Sequence, residues 1–405
     1  MARFYVGIDI SKRKHVACLR DLADDSFSKP FSFAVNRQGF AAFEAWLAER
    51  STAADDFLIG VEATGPYGVT VSWFLLSLGY SVVELNPHQA AQFRRAQGRK
   101  AKTDRLDARS LATMLSLAHH KRLLEPDPIR DELRELTRWR YDLVKDRTAL
   151  INALHETLTV LFPEFAALMN ELNSPTVLAL LASYPTPAAL RQASIEAVTT
   201  VLRAASHGHF SHELANRLVE AATQTVGVPG RQGALQLKVC VLTERIQALN
   251  QAIDVVESQI GELFRCLGMD TDAFPVGGVT SLATLVAEIE DIGRFPSIKQ
   301  FLSHFGWCPR TFQTGGYQSQ HPKLSHAGNR YVRRVLWMLS VVAVRTVPRY
   351  RRYFEQRTAA GKNKMDSLVA VGRKLLSVVY AILKTGKPYD PDYSPPGTRL
   401  QPASA

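Results

Sequence analysis

The sequence has no apolar run of the roughly 18 residues that a transmembrane helix requires, so a membrane-spanning protein is not expected. Its first residues, MARFYVGIDIS, have the pattern of a β-strand rather than that of a secretory signal peptide. Cysteine is scarce: Cys18, Cys240, Cys266 and Cys308 lie far apart and form no CxxC motif. This spacing argues against a disulfide framework and against a zinc knuckle, and it indicates a reduced, cytoplasmic compartment.

Acidic residues are scarce in the last third of the chain. From Arg294 to Lys387 there are eighteen Lys or Arg residues and two acids, Glu355 and Asp366, which gives +16. Because the net charge of all 405 residues is +11, about −5 is left for the remainder. A cationic segment beside a mildly acidic remainder favours a polyanion-binding surface, most simply one for nucleic acid. The alternative is a positive surface that only keeps the protein in solution.

Strand and helix patterns alternate in residues 1–125. Apolar and β-branched runs predict strands at FYVGIDI, KHVACLRD, FSFAVN, DFLIGVEATG and YSVVELNP. Apolar residues at helical spacing predict helices at RQGFAAFEAWLAER and PYGVTVSWFLLSLG, and a long helical region begins near His88. Such alternation is typical of an α/β layer fold with a partly parallel sheet, which we assign to residues 1–125.

Two long helices are predicted in residues 126–268, separated by a small helical insertion. In the second helix, apolar residues recur at alternating steps of four and three over four heptads, which predicts a coiled coil. The helices are expected to pair with each other, with a second copy of the chain, or with both. We expect at least a dimer, because an unpaired seam buries little apolar surface. The seam consists of Leu235, Val239, Leu242, Ile246, Leu249, Ile253, Val256, Ile260 and Leu263.

Residues 269–390 are predicted to form a basic, mainly α-helical domain, followed by a Pro-rich disordered tail at 391–405. The segment PVGGVTSLATLVAEI has the glycine-rich turn and helix of a helix–hairpin–helix element, whose backbone N–H groups can bind a DNA phosphate. An ordinary glycine-capped helix pair is the alternative. Arg330, Arg333 and Arg334 lie at helical spacing in GNRYVRRVLW, suited either to phosphates or to a solvated helix face.

Four carboxylates have the placement of a site at the edge of an α/β sheet. Asp9 ends the first predicted strand and Glu62 ends the fourth, and sites form beyond the carboxyl ends of strands. Asp104 and Asp107 share one face of a helix that Thr103 can cap. Like charges so close repel unless a cation is present, and hard oxygen ligands suit Mg²⁺ or Mn²⁺. Together the four acids predict a metal site, although each acid alone is weak evidence.

The predicted metal site lies within a strongly basic stretch. Between Arg94 and Arg109 there are seven Lys or Arg residues and only two acids. Two divalent ions can clamp the attacking and leaving oxygens of a phosphodiester, while neighbouring cations hold the phosphate backbone. We therefore predict nucleic-acid contacts here from Arg94, Arg95, Arg99, Lys100 and Lys102.

The order of these motifs resembles the DEDD, RuvC-like transposases of the insertion-sequence-110 type and the related Piv-type DNA invertases. The matching blocks are YVGIDISKRKH, VEATGPYG and LNPHQAAQFRRAQGRKAKTDRLDA at the front, and FPVGGVTSLATLVAEIEDIGRFPSIKQFLSHFGWCPR, LSHAGNRYVRRVLW and LVAVGRKLLSVVYAILKTGKPYDP at the back. The resemblance spans nearly the whole chain. It implies an RNase H-like (RuvC-like) N-terminal domain, a coiled-coil middle region, and DNA as the substrate.

The resemblance also implies DNA strand exchange by a hydroxyl nucleophile through a transient covalent protein–DNA bond. Members of the family carry a Ser directly before Gly where this chain has Thr314, in WCPRTFQTGG. An activated threonine can act as a nucleophile, but its extra methyl group crowds an in-line attack. Ser319 is the alternative nucleophile, and a catalytically impaired chain is a third interpretation.

These observations predict an insertion-sequence transposase or site-specific recombinase that acts on double-stranded donor and target DNA. We expect a dimer or tetramer in the prokaryotic cytoplasm, associated with the nucleoid. Some members of the family choose their DNA with a structured noncoding bridge RNA, so a guide RNA is a further candidate partner. The alternatives are a DNA invertase acting on fixed sites, a RuvC-like nuclease or resolvase without a covalent intermediate, and a binding protein with an inactive site.

Overall fold

The structure is a computed structural model. It describes residues 2–62, 65–96, 103–116, 123, 127–208, 210, 212–307, 313–314, 317–318 and 328–392. For residues 313–314 and 317–318 it describes only the backbone. The chain divides into two compact units, Met1–Pro126 and Asp127–Ala405, called unit 1 and unit 2 below.

Unit 1 is built on a mixed five-stranded sheet, and the five strands predicted from the sequence are confirmed. The strands are β1 (Phe4–Asp9), β2 (Lys14–Asp21), β3 (Phe31–Ala34), β4 (Phe57–Glu62) and β5 (Ser81–Leu85). Their order across the sheet is β3-β2-β1-β4-β5. β1 pairs antiparallel with β2 but parallel with β4, and β4 pairs parallel with β5. The carboxyl ends of β1, β4 and β5 therefore meet at one edge of the sheet.

Helices cover both faces of this sheet. They are α1 (Arg37–Ala48), α2 (Val69–Ser77), α3 (Pro87–Ala96) and α4 (Asp104–Met114). Val6 and Ile8 of β1 belong to one core, shared with α1 and α2. Alternate strand residues such as Val83 belong to a second core, shared with α3 and α4. The single helical region expected from His88 is described as two helices, with residues 97–102 outside the described part.

Unit 2 is mainly helical, and its core is divided into two clusters. None of the helices in the described part of the chain is both long enough and apolar enough to cross a membrane. The helices of unit 2 are α5 (Pro128–Leu161), α6 (Phe165–Leu168), α7 (Pro175–Ser183), α8 (Pro187–Gln192), α9 (Ile195–Ala205), α10 (His212–Gln224), α11 (Gln232–Cys266), α12 (Val279–Ile289), α13 (Ile298–His304), α14 (Arg330–Thr346), α15 (Pro348–Ala359) and α16 (Lys364–Thr385).

The two long helices, α5 and α11, pack along each other within one chain. Arg140 of α5 contacts Glu257 of α11 at 2.6 Å, and Arg147 contacts Asn250 at 2.8 Å. Since the residue number rises on one helix as it falls on the other, the pair is antiparallel. Seven of the nine heptad positions on α11 are buried, whereas Leu249 is half-buried. Because α5 already covers this seam, dimerisation stays a prediction that the seam alone does not require.

The helix pair contributes to both clusters of the unit 2 core. At one end, Leu158 of α5 and Ile246 of α11 pack with the small helices α6–α10, which lie between α5 and α11 in the chain. At the other end, Leu133 of α5 and Ile260 of α11 pack with α12–α16. The C-terminal helices α12–α16 therefore pack directly against one end of the long helix pair.

Candidate functional site

Asp9 and Glu62 are placed next to each other by the pairing of two parallel strands. In the register of β1 and β4, Ile8 lies opposite Val61. The residue that follows each of these, Asp9 or Glu62, ends its strand at the same edge of the sheet. The backbone alone therefore brings two of the predicted acids together.

The other two acids are brought to this edge by α4. Thr103 caps the helix, its hydroxyl accepting a hydrogen bond of 3.4 Å from the N–H of Leu106. The helix lies directly against β1 at Gly7, where an added Cβ atom would stand 2.3 Å from the carbonyl oxygen of Ala108. Only a residue without a side chain permits this approach. Asp107 is buried as a result, whereas Asp104, one turn earlier, is exposed.

Arg94 of α3 lies among these acids. Its guanidinium Nη1 is 3.3 Å from Asp107 Oδ2 and 4.0 Å from Glu62 Oε2. The side chains of Asp107 and Glu62 are only 6% and 11% exposed, so these contacts are poorly screened by water. Arg94 therefore compensates part of the negative charge of the cluster.

Asp9 shows that this compensation is incomplete. Burial first, and then the negative charges of Asp107, Asp104 and Glu62, raise the pKa of Asp9 from 3.8 to about 7. Arg94 acts in the opposite direction but does not cancel these effects. All four acids therefore act on one electrostatic site, whose negative potential favours a bound cation.

The donor chemistry of this site fits a hard divalent cation, because every available ligand is a carboxylate oxygen. Within the described residues, no group of three or more His, Cys, Asp or Glu side chains is arranged as a ready-made metal site. The residues that would hold an ion are Asp9, Glu62, Asp104 and Asp107.

The predicted nucleic-acid-binding residues fall into three groups. Arg94 is engaged by the acids, whereas Arg95, in the last turn of α3, is exposed. Arg330 and Arg334 are exposed on α14, and Arg333 is half-buried. Arg99, Lys100 and Lys102 lie outside the described residues.

Thr314 lies in a short two-stranded ribbon of unit 2. Strand β6 (Gln313–Thr314) pairs antiparallel with β7 (Tyr317–Gln318), with Thr314 opposite Tyr317. Side chains here, and Ser319 altogether, lie outside the described part of the chain. Gly328, which follows this part of the chain, lies against the backbone of Phe305, which precedes it. An added Cβ atom at Gly328 would stand 2.6 Å from the carbonyl carbon of Phe305.

A buried ionic network next to this segment was not predicted from the sequence. The Glu288 side chain, 2% exposed, accepts two hydrogen bonds from Arg138, of 2.6 and 2.8 Å, and one from Asn329. Asn329 also caps α14, accepting from the N–H of Tyr331 at 2.9 Å. Three helices, α5, α12 and α14, are thus fixed to one carboxylate. The only signal in the sequence was an acid at the end of an otherwise apolar helix, which has many ordinary explanations.

Comparison with known proteins gives the family. A profile of the DEDD transposases of IS110, described as a transposase, matches residues 6–163 and so contains the four acids. A second profile, described as the transposase IS116/IS110/IS902 family, matches residues 273–355 and contains Thr314. Together the two profiles cover more than half of the chain.

Similar proteins occur along the whole length. The chain is 26% identical to a 44.8 kDa protein of insertion element IS116 from Streptomyces clavuligerus, over 98% of both chains. It is 29% identical to a 43.6 kDa protein of insertion element IS110 from Streptomyces coelicolor, over 72% of this chain and 73% of the other. It is also 23% identical to the pilin gene-inverting protein of Moraxella bovis, over 96% of this chain and 98% of that protein. The chain belongs to the IS116/IS110/IS902 family of transposases.

Proposed function

We propose that the protein is a metal-dependent recombinase of an insertion element, which cuts and rejoins DNA strands through a covalent protein–DNA intermediate. The observation that carries the proposal is the gathering of Asp9, Glu62, Asp104 and Asp107 at one sheet edge. Burial and mutual repulsion raise the pKa of Asp9 to about 7, so this arrangement disfavours its own ionisation without a cation. Such a cluster is costly to the folded state, and a bound cation would offset this cost.

The sheet supports an RNase H-like (RuvC-like) fold for unit 1. A central strand, β1, has an antiparallel neighbour on one side and a parallel neighbour on the other. Acids end β1 and β4, and a helix carrying two more acids crosses the sheet at Gly7. The antiparallel pair of α5 and α11 similarly supports a coiled coil within unit 2.

Asp9, Glu62, Asp104 and Asp107 would hold Mg²⁺ or Mn²⁺. When bound, such an ion supplies Lewis-acid stabilisation of the charge that develops on the phosphodiester. Asp107 and Glu62 stay oriented through their contacts with Arg94. Arg95, which is exposed in the last turn of α3, would contact a neighbouring phosphate.

Thr314 supplies the nucleophile in this proposal. Its Oγ attacks phosphorus, a new O–P bond forms, and the bond between phosphorus and the leaving deoxyribose oxygen breaks. The threonine hydroxyl loses a proton and the leaving oxygen gains one. The phosphodiester is kept as a protein–DNA link, and attack by a hydroxyl of another strand transfers the strand and restores Thr314. No outside energy source is therefore needed.

The partners follow from the charge and from the family. The basic surface of unit 2 would bind double-stranded donor and target DNA, and a structured guide RNA is a further candidate for the same cations. A second copy of the chain is expected, since strand exchange joins two DNA duplexes.

The test is to trap the protein on a suicide DNA substrate with magnesium present and to map the modified residue by mass spectrometry. Thr314→Ser should keep or increase the adduct, because the hydroxyl remains and the crowding methyl group is removed. Thr314→Val should abolish the adduct while leaving DNA binding unchanged. Thr346→Val, at an exposed position of α14, is the matched control.

Two results would contradict this assignment. An adduct on Ser319 would move the nucleophile within the same mechanism. Cleavage to free ends without any adduct would instead favour a RuvC-like nuclease or resolvase.

Inversion of a DNA segment between fixed sites is the second candidate function. It is favoured by the similarity to the pilin gene-inverting protein along nearly the whole chain. A plasmid that carries two copies of one end of the insertion element, in inverted orientation, distinguishes an invertase from a transposase. Inversion without insertion elsewhere would favour the invertase, and insertion at new positions would favour the transposase.

A further inference from the structure

Two tyrosines and three arginines form a layered cluster where α5 meets the start of α14. The rings of Tyr141 and Tyr331 meet edge to face with their centroids 5.3 Å apart. The guanidinium of Arg334 lies 4.6 Å from the centroid of Tyr141, and that of Arg330 lies 4.7 Å from the centroid of Tyr331. Arg138 lies 5.1 Å from the centroid of Tyr331. The cations and rings therefore alternate, and we call these five residues the arginine–tyrosine platform.

Glu288 and Asn329 hold two residues of the platform, Arg138 and Tyr331, in place. Glu288 binds Arg138 with both carboxylate oxygens, so the charge of Arg138 is already neutralised within the fold. Asn329 accepts from the backbone N–H of Tyr331 and donates to the same Glu288. Tyr331 is thus fixed through its backbone and through the cation over its ring. The position of the rings does not depend on a ligand.

The upper layer of the platform is open. Arg330 and Arg334 are exposed, whereas Tyr141 and Tyr331 are half-buried beneath them. Arg330 also donates a hydrogen bond of 2.7 Å to the hydroxyl of Tyr331, so its side chain is held in one orientation. Arg330 lies near both rings, since its guanidinium is also 5.8 Å from the centroid of Tyr141. The surface that Arg330 and Arg334 leave exposed belongs to planar, weakly hydrated groups, which can stack on a base.

We propose that the arginine–tyrosine platform binds an unpaired nucleic-acid strand by stacking its bases on Arg330 and Arg334. Bases within a duplex are already stacked on one another, so their faces are not available to this platform. A site for phosphate alone would need no ring beneath each cation, and flexible, solvated cations would serve. In the chain, Arg330 follows the segment that carries Thr314, and strand exchange at Thr314 would release unpaired nucleotides. The inference rests on the proposed function only for the source of the unpaired strand.

Binding of labelled short oligonucleotides to the full chain, measured by fluorescence anisotropy without divalent cations, tests the platform. The probes are an intact single strand of DNA, an RNA of the same sequence, an abasic DNA strand of equal length, and the corresponding duplex. Intact strands should bind about fivefold or more tightly than the abasic strand, because one stacked base contributes at least that factor. The better of the DNA and RNA strands identifies which nucleic acid supplies the bases.

Two kinds of variant separate stacking from charge. Arg330→Lys and Arg334→Lys keep the charge and therefore the salt dependence of binding, but lose the planar group, so the preference for intact strands should disappear. Tyr141→Leu should do the same, whereas Tyr141→Phe should keep the preference. Arg345→Lys, at an exposed position in the last turn of α14, is the matched control and should change nothing.

Equal binding of intact and abasic strands by the unmodified protein would overturn the inference. So would a preference that survives in the Lys variants, or tighter binding of the duplex than of the intact single strand. Because no cleavage is measured, the two proposals can fail separately. A protein that recombines DNA but ignores the bases contradicts only the platform, and one that prefers intact strands but never recombines DNA contradicts only the proposed function.

Discussion

Asp9→Asn should stabilise the metal-free protein at neutral pH, even though it removes a proposed metal ligand. In the folded protein Asp9 is partly buried and faces the negative charges of Asp107, Asp104 and Glu62, with Arg94 compensating only in part. The neutral amide of Asn has nearly the same shape as the carboxylate but carries no charge. The substitution therefore removes a repulsion that the fold otherwise has to tolerate.

The magnitude follows from the pKa of Asp9, which is raised from 3.8 to about 7. At 1.36 kcal/mol per pKa unit, this corresponds to about 4 kcal/mol as an upper limit. Because Asp9 is only partly buried, solvent screens these interactions, and the expected gain is about 2 kcal/mol. The folded state binds the proton more tightly than the unfolded state does. The contribution of Asp9 to the stability of the wild-type protein is therefore most favourable below pH 3.8 and decreases as the pH rises toward 7. The advantage of Asp9→Asn should accordingly be absent near pH 4 and largest above pH 7.

Hydrogen–deuterium exchange of the β1 and β4 amides in the full chain, as a function of urea, measures the local free energy of opening. Magnesium should slow exchange in the wild-type protein, because a ligand stabilises the state that binds it, but not in Asp9→Asn. Asp55→Asn, at an exposed position, is the control and should behave as wild type. The reasoning is refuted if Asp9→Asn is no more stable than wild type at pH 7.5 without metal, or if its advantage is the same at pH 4.

Three further substitutions test how the site and unit 2 are built. Gly7→Ala should destabilise unit 1 by about 3 kcal/mol in thermal unfolding, because its Cβ atom would stand 2.3 Å from the carbonyl oxygen of Ala108. Gly233→Ala, in open space in the first turn of α11, is the control and should not destabilise unit 2, because alanine favours a helix over glycine by up to about 1 kcal/mol. Glu288→Gln should lower the free energy of unfolding of unit 2 by about 2 kcal/mol, less than for a fully buried pair because its arginine partner is 40% exposed. Leu249→Asp should cost about 2–5 kcal/mol in urea unfolding and weaken any oligomer seen by light scattering, and unchanged values would show that the seam tolerates a charge.

The strands of unit 1 could be predicted because their signals are local. Each strand is a short apolar run bounded by turn residues, and the period of the side chains does not depend on the rest of the fold. The register between β1 and β4 was not predictable in the same way, because it is set by packing against the helices. Gly7 is the residue that links the local strand pattern to the packing of a helix on the sheet. As a glycine inside a strand it indicates a close approach, but only the structure shows that α4 is the partner.

The acids could be grouped from the sequence because strand ends and helix faces follow from simple geometry. The role of Arg94 could not, since a cation in a basic stretch is equally suited to a phosphate or to a carboxylate. Glu288 and Tyr141 were missed for a related reason: their arginine partners, Arg138 and Arg334, are more than a hundred residues away in the chain. Contacts of this kind depend on tertiary packing, which cannot be read from the spacing of apolar residues in the sequence.

If DNA binds at this edge of the sheet, as proposed above, the charge balance of the acid cluster would set the conditions for that binding. Four carboxylates and Arg94 would leave three negative charges if every group were ionised, and the pKa of Asp9 shows that the cluster resists this state. A phosphodiester brought to the same place adds another negative charge and is repelled. One divalent cation would reduce the net charge of the fully ionised cluster from −3 to −1, and a second would make it +1, so that cations and phosphate would each favour the binding of the other. In the proposed reaction, the basic residues around the acids would attract nucleic acid to the protein, and cations within the cluster would allow the scissile phosphate to approach the carboxylates.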